Sequence, residues 1–366
     1  MSRTVFRYVV SLYARYLVAI FLIVLVVFMV ADLSDRAKMV LTHLWADVYR
    51  LYWNKALVAA QQLAPAALLL AAGACVSTLR KRGELTALKA LSFSPSALYL
   101  PIGLCALVGA VALVGFDEWV VTRAGARVDQ ISMHNFNAWG DLPLYYRPKQ
   151  WFRKGDRIFF LRGALPDGQG YSDVTILSLT PEFQLVKRID ARALSPVGDT
   201  RWHLSESVER TFSEQGGTTV RSVPDQILDL GVRASAFQIH QGRPEQMRLK
   251  ELRQQIVARR SVGLPTQTYV LALHNRFAYP LTGFAAALLA VGLALRPQRR
   301  GHLTVALVEG FAISIGLWGM MVIGKALVIG EHLAAPSAAW GPFAVLLAVA
   351  TSLWLRREGK LGWSGA

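Results

Sequence analysis

Six long apolar stretches frame this chain, in two groups of three. The first group runs Tyr13–Ala31, Ala56–Leu79 and Leu98–Phe116, and the second Tyr269–Leu295, Leu303–Val322 and about Leu333–Leu355. A helix needs about 20 mostly apolar residues to cross a bilayer, so each stretch predicts a membrane span. From Asp117 to Thr268 the rhythm changes to short runs bounded by turn residues. Lys154-Gly155-Asp156, Pro166-Asp167-Gly168, Pro196 to Asp199 and Gly216-Gly217 separate Arg157–Arg162, Val174–Leu179, Leu185–Leu194, Arg201–Phe212 and Thr218–Val223. Short runs at this spacing predict an antiparallel sandwich or jelly roll. Arg248–Arg260 then reads as a charged amphipathic helix that returns the chain to the membrane. The predicted fold is an α+β membrane protein: six transmembrane helices (3+3), with a β domain inserted between helices 3 and 4. Its domains are 1–116, 117–268 and 269–366.

Charge orients the spans. The chain has 40 Lys and Arg against 24 Asp and Glu, a net +16, with 53% hydrophobic residues. In a soluble protein that excess would suggest nucleic acid, but here it sits at the ends of apolar runs. One set of span ends carries Arg3, Arg7, Arg15, Arg80, Lys81, Arg82, Lys89, Arg296, Arg299, Arg300, Arg356, Arg357 and Lys360, opposed only by Glu84 and Glu358. The other set carries a near-balanced mixture of Asp32, Asp35, Arg36, Lys38, Lys325 and Glu331. The positive-inside rule puts both termini in the cytoplasm and residues 117–268 on the far side. The basic region before the first span is long and no small-x-small site follows Met29, so that span reads as an anchor and not a leader. Cys75 and Cys105 lie inside apolar runs and read as small buried residues, not as a disulfide or metal pair.

The stretch Arg80 to Pro95 stands out between the second and third spans. Gly83 precedes a compact helical pattern in which Leu85, Leu88 and Leu91 share a face. Glu84 falls where the helix dipole favours an acid, and Ser94-Pro95 ends the helix. Two readings stand: a docking lever for a cytoplasmic motor, or a basic loop that only orients the protein. Gly319 to Lys325 matches the start of a phosphate-binding loop, but Ala326 stands where Ser or Thr must ligate magnesium, and no soluble strand precedes it. No nucleotide site is expected there. Glu309, inside the fifth span, is costly in lipid and should face the interior, a partner or water.

Taken together these features resemble the lipopolysaccharide-export permease family, LptF/LptG. Arg82-Gly83-Glu84-Leu85-Thr86-Ala87-Leu88-Lys89-Ala90-Leu91-Ser92 looks like the family's E-x-x-A-L-x-A-x-G-x-S segment, without its glycine. Asp117-Glu118-Trp119-Val120 looks like the family's exit from the third span, with Thr122 in place of the usual proline. Arg243 to Leu252 looks like the stretch before the fourth span, and His274 to Leu281 like its H-x-R-x-x-x-P-L opening. The resemblance implies a non-catalytic permease subunit that extracts lipopolysaccharide from the inner membrane and passes it to a periplasmic bridge. It implies as partners a paralogous permease, a homodimeric cytoplasmic ATPase (LptB) that holds the ATP and magnesium, and a single-span LptC. No cofactor is implied in this chain. The long first external loop read from Asp32 to Lys55 leans toward LptG.

The resemblance also assigns candidate residues. Glu84, Leu85, Leu88, Arg82 and Lys89 would couple to the ATPase, Glu84 by pairing with one of its cations and the leucines as anchors in a groove. For Glu84 the other reading is a first-turn acid that answers the helix dipole. Arg36 and Lys38, at headgroup height past the first span, would meet lipid phosphate or merely snorkel. Gly310, Ser314, Gly316 and Gly319 would line a gate between spans of opposite subunits, or pack helices within one subunit. His274 and Arg276 read as structural groups. The rival functions are a membrane scaffold or receptor with an external binding domain, a permease for another lipid, and an intramembrane enzyme. For the enzyme, no convergent catalytic groups stand out.

Overall fold

In a computed structural model of the chain, the described residues are 3–37, 43–91, 93–136, 150–164, 170–198, 200–212, 217–231, 243–261, 264–296 and 303–357. They fall into two units. One comprises Met1–Trp139, Pro244–Leu249 and Val270–Ala366, the other Gly140–Arg243 and Lys250–Tyr269.

The first unit is helical. Its elements are α1 (Arg3–Asp35), α2 (Trp45–Lys81), the short α3 (Glu84–Ala90), α4 (Tyr99–Phe116), α5 (Thr122–Phe136), α7 (Gln267–Ala294), α8 (Leu303–Ile329) and α9 (Ala335–Arg357). Six helical stretches are long and apolar enough to cross a membrane. The helices run past the apolar limits read from sequence, because no glycine or proline interrupts Arg3–Asp35 and because polar residues continue a helix as readily as apolar ones. One expectation is corrected here: Asp32 to Lys55 is not a long loop, since α1 reaches Asp35 and α2 begins at Trp45. The third span also continues beyond Asp117, through a π-turn at Asp117–Val121 into α5. With threonine at 122, nothing removes the backbone donor that a proline would remove there.

The core of this unit centres on α2. Leu68, Leu69, Cys75, Val76 and Leu79 pack with Val9 and Tyr13 of α1, Ile102 and Ala106 of α4, Ala285 to Ala287 of α7 and Leu346 of α9. Pro65 has no N–H for the hydrogen-bond ladder of α2, and beside this break the Tyr279 hydroxyl of α7 donates to the carbonyl of Gln62. Gly283 permits this approach, since a Cβ there would lie 2.8 Å from Pro65 Cα. By contrast α1 and α8 are bare along their outward faces. Val18, Ile23, Val26, Val27, Phe311, Ile315 and Trp318 are all exposed.

The second unit is built on one six-stranded antiparallel sheet: β1 (Gln150–Lys154), β2 (Arg157–Ala164), β3 (Tyr171–Leu179), β4 (Leu185–Pro196), β5 (Arg201–Phe212) and β6 (Thr218–Asp229). The expected antiparallel β domain is present. Its described strands follow each other as a meander, so the crossovers of a jelly roll are absent among the described residues. Strand β6 continues past Pro224, where the sequence reading stopped, because an edge strand tolerates a residue with no N–H. The 13-residue helix α6 (Leu249–Ser261) follows.

A crease crosses the sheet. Asp173 and Glu206 have left-handed backbones, φ 50 and φ 49, in strands on either side of Arg192. The buried parity changes there. Strand β4 buries Ile189 and Ala191 before the line and Leu194 after it, while β5 buries Trp202 and Leu204, then Ser207. Bulges shift parity in this way and sharpen the local twist. Both flanks feed one core of Phe159, Leu161, Val174, Ile176, Leu194, Trp202 and Leu204. The sheet folds over far enough for Arg157 of β2 to donate to the Asp229 carbonyl of β6 at 3.2 Å.

Candidate functional site

The helix α3 is short because Gly83 turns the chain out of α2 with φ 75 and the run stops at Ala90. No Cβ would meet anything at Gly83, so the left-handed backbone alone explains the glycine. Of the candidate anchors, Leu85 is only 4% exposed and belongs to the chain's own core. It is therefore not available as a groove anchor, whereas Leu91 is 69% exposed and Leu88 half-buried. Glu84 is engaged within the chain: the Tyr8 hydroxyl donates to its carboxylate at 2.8 and 3.0 Å, and Arg82 Nη1 lies 3.8 Å away. The exposed edge is Arg82, Lys89 and Leu91, with Leu88 half-buried beside it. Arg80 is committed elsewhere, donating to the Arg296 carbonyl at the end of α7 (2.9 Å). Ser92 lies outside the described residues.

A second cluster of charge stands at the other end of the spans. Arg276 of α7 is 5% exposed. It pairs with Glu118 at 2.5 Å and approaches Asp117 at 3.5 Å, and it donates to the carbonyls of Glu245 and Met247. Glu118 also accepts from the Leu249 backbone N–H at 3.1 Å. Gln246 donates to Asp129 (2.6 Å) and to the Gly125 carbonyl, and Lys325 of α8 pairs with Glu245 (2.9 Å). Groups from the π-turn Asp117–Val121, α5, α7 and α8 thus converge on one hexapeptide, Pro244–Leu249. A π-turn places Asp117 and Glu118 for this, a common use of such turns. His274 accepts from Trp340 Nε1 at 3.2 Å. Both His274 and Arg276 therefore hold structure together.

Of the two candidate phosphate contacts, only Arg36 is among the described residues. Lys38 lies outside the described residues, and Arg36 is 3.8 Å from Asp32, which Lys55 already holds at 2.6 Å. Another exposed pair of cations was not singled out from the sequence. Arg123 and Arg127 of α5 are exposed, one and two turns beyond an exposed Trp119. Their i,i+4 spacing after an interface tryptophan was the available signal.

The four small residues of the fifth span also separate. A Cβ at Gly310 would meet Leu69 and Leu70 at 2.7 Å, so Gly310 packs α8 on α2, and Ser314 donates to its carbonyl. Gly316 and Gly319 have nothing within 4 Å of a Cβ. Glu309 is half-buried without a hydrogen bond or ion pair among the described residues. Gly319 to Lys325 is regular helix, not a phosphate loop.

Six apolar helices, an inserted antiparallel β domain and a short helix in the basic connection between spans 2 and 3 define a multi-pass membrane protein. The family model described as "Lipopolysaccharide export system permease LptF/LptG" matches residues 7–357. The chain belongs to that family, and is thus a permease of a lipopolysaccharide export system. The match covers LptF and LptG jointly, and the long loop on which a lean toward LptG rested is not there. Comparison with individually curated proteins finds no match.

Proposed function

We propose that this chain is one of two permease subunits that lift lipopolysaccharide out of the inner membrane, driven by ATP hydrolysis in separate cytoplasmic subunits that dock beneath α3. Both termini and α3 face the cytoplasm, and the β domain faces the periplasm, where it hands the lipid to a bridge. The observation that carries this reading is the presentation of α3. A glycine-turned helix between two spans leaves a cation and leucine edge (Arg82, Lys89, Leu91) open, on the side where every other short connection is basic.

The task explains the architecture. Exposing an acyl chain of a dozen carbons to water costs on the order of 10 kcal/mol, at about 0.8 kcal/mol per CH₂. The lipid must therefore pass from bilayer to protein without crossing solvent. The bare faces of α1 and α8, with Gly316 and Gly319 unopposed, suit packing against the second permease and a gate there. Arg123 and Arg127 suit the lipid's phosphates.

The test is purification of the intact assembly. The wild-type chain should bring down a second permease and a soluble ATPase, and Lys89→Glu with Leu91→Glu should lose the ATPase while keeping the permease. ATPase retained at wild-type level, with unimpaired lipid release, would overturn the docking assignment.

A further inference from the structure

Helix α3 has seven residues, too few to hold itself together, since isolated helices shorter than about 12 residues are marginal in water. Within it only Leu85 is buried. Part of what fixes it to the rest of the chain comes from the start of α1. Val5 lines a small apolar pocket with Leu85, Leu88, Phe93 and Leu98. One helical turn later Tyr8 donates to both oxygens of Glu84, 76 residues away in the chain. The hydroxyls of α1 continue in a file. Tyr13 donates to the Leu68 carbonyl at 3.2 Å, and Tyr16 shares a 2.8 Å hydrogen bond with Thr78. Both of those partners lie on α2, whereas Tyr8 alone of the three reaches α3. Beyond Tyr16 the outward face of α1 is bare, from Val18 to Val30.

We propose that Tyr8 is a positioning residue: its hydroxyl latches α3 to the first turns of α1, so that displacement of α3 moves α1 directly. Glu84 then has an inward task, holding Tyr8, apart from any charge it shows to a partner. The two tasks separate chemically. Tyr8→Phe removes the hydrogen bond and keeps the carboxylate, and Glu84→Gln keeps an acceptor for Tyr8 and removes the charge. The Tyr8 ring is 42% exposed, so losing its hydroxyl leaves no buried cavity.

The transmission half of this inference rests on the proposed motor docking, and the latch itself does not. Hydrogen exchange of the full chain in lipid nanodiscs tests the latch. In Tyr8→Phe the amides of Ala87 and Leu91 should exchange at least five-fold faster, with β-domain amides unchanged, and in Glu84→Gln they should stay near wild type. Unchanged exchange at Ala87 and Leu91 in Tyr8→Phe overturns the latch, whatever partners the chain has. Lipid released per ATP by the purified assembly tests the transmission. Tyr8→Phe should keep its ATPase subunits and hydrolysis rate but lose about five-fold in release per ATP. An unchanged ratio, or loss of the ATPase, overturns transmission. A wild-type chain that brings down no ATPase overturns the proposed docking and transmission with it, and leaves the exchange result to decide the latch.

Discussion

Arg276, itself buried, and the partly buried Glu118 form an ion pair at 2.5 Å across 158 residues of chain, and each also satisfies backbone on the segment between them. Arg276 serves carbonyls of Glu245 and Met247, and Glu118 serves the N–H of Leu249. Removing Arg276 takes the counter-charge from both Asp117 and Glu118, and removing Glu118 leaves the buried guanidinium only Asp117 at 3.5 Å; breaking a fully buried pair costs about 3–5 kcal/mol, which is the upper bound here. Arg276→Met and Glu118→Ala should each lower the thermal midpoint of the detergent-solubilised chain. The charge swap Glu118→Arg with Arg276→Glu should not restore it, because the backbone partners demand a donor on one side and an acceptor on the other. Full recovery in the swap would show that charge alone matters.

The glycines of α8 should divide by environment. Gly310→Leu must displace Leu69 and Leu70, and such overpacking costs about 1–3 kcal/mol. Gly316→Leu meets nothing in this chain and should leave its stability within about 0.5 kcal/mol. If α8 packs on a second permease, Gly316→Leu should nonetheless reduce copurification of that subunit. Equal thermal shifts for the two variants would contradict the packing described.

The crease in the β domain predicts an unusual gain. A non-glycine residue with φ near 50 is strained by about 1 kcal/mol or more, and the Arg192 pair at Glu206 is exposed on both sides and contributes little. Glu206→Gly should therefore hold or raise the stability of the domain, whereas the β-branched Glu206→Val should lower it. Native-state exchange of β5 amides in the full chain reads both. A marked loss in the glycine variant would mean that the ion pair outweighs the backbone.

Asp190 gives the domain an acid-side dependence. Burial pushes its carboxyl up, but hydrogen bonds from Arg188 and Thr175 and the charges of Arg188 and Arg210 outweigh this and hold it below the ordinary carboxylate range. A depressed pKa stabilises the fold above the unfolded value, about 3.9, and the benefit is lost as pH falls below that and through the folded value. Exchange protection of β4 should drop more steeply below about pH 4 in wild type than in Asp190→Asn. Parallel profiles would remove Asp190 as the cause.

What the sequence determined is what composition and local rhythm can express. Apolar length set six spans because a bilayer demands it. Basic span ends set a predicted orientation, and Gly155, with φ 61 between β1 and β2, sat in a turn already marked by Lys154-Gly155-Asp156. Gly83, Glu84 and the leucines marked α3 as a helix with the correct start. Only the tertiary structure decided which way that helix faces. Leucines at 85, 88 and 91 look alike in a periodic pattern, and burial of the first rests on α1, α2 and α4 closing around it. Glu84 was legible as an unusual acid but not as the partner of Tyr8, because a hydrogen bond across 76 residues leaves no local trace. For the same reason Arg276 and Glu118 were visible as separate motifs and invisible as a pair. The crease was hidden too: Asp173 and Glu206 are ordinary strand-surface residues until neighbouring strands force their backbones over. Local patterns state what a residue prefers, and long-range closure decides which of those preferences is met.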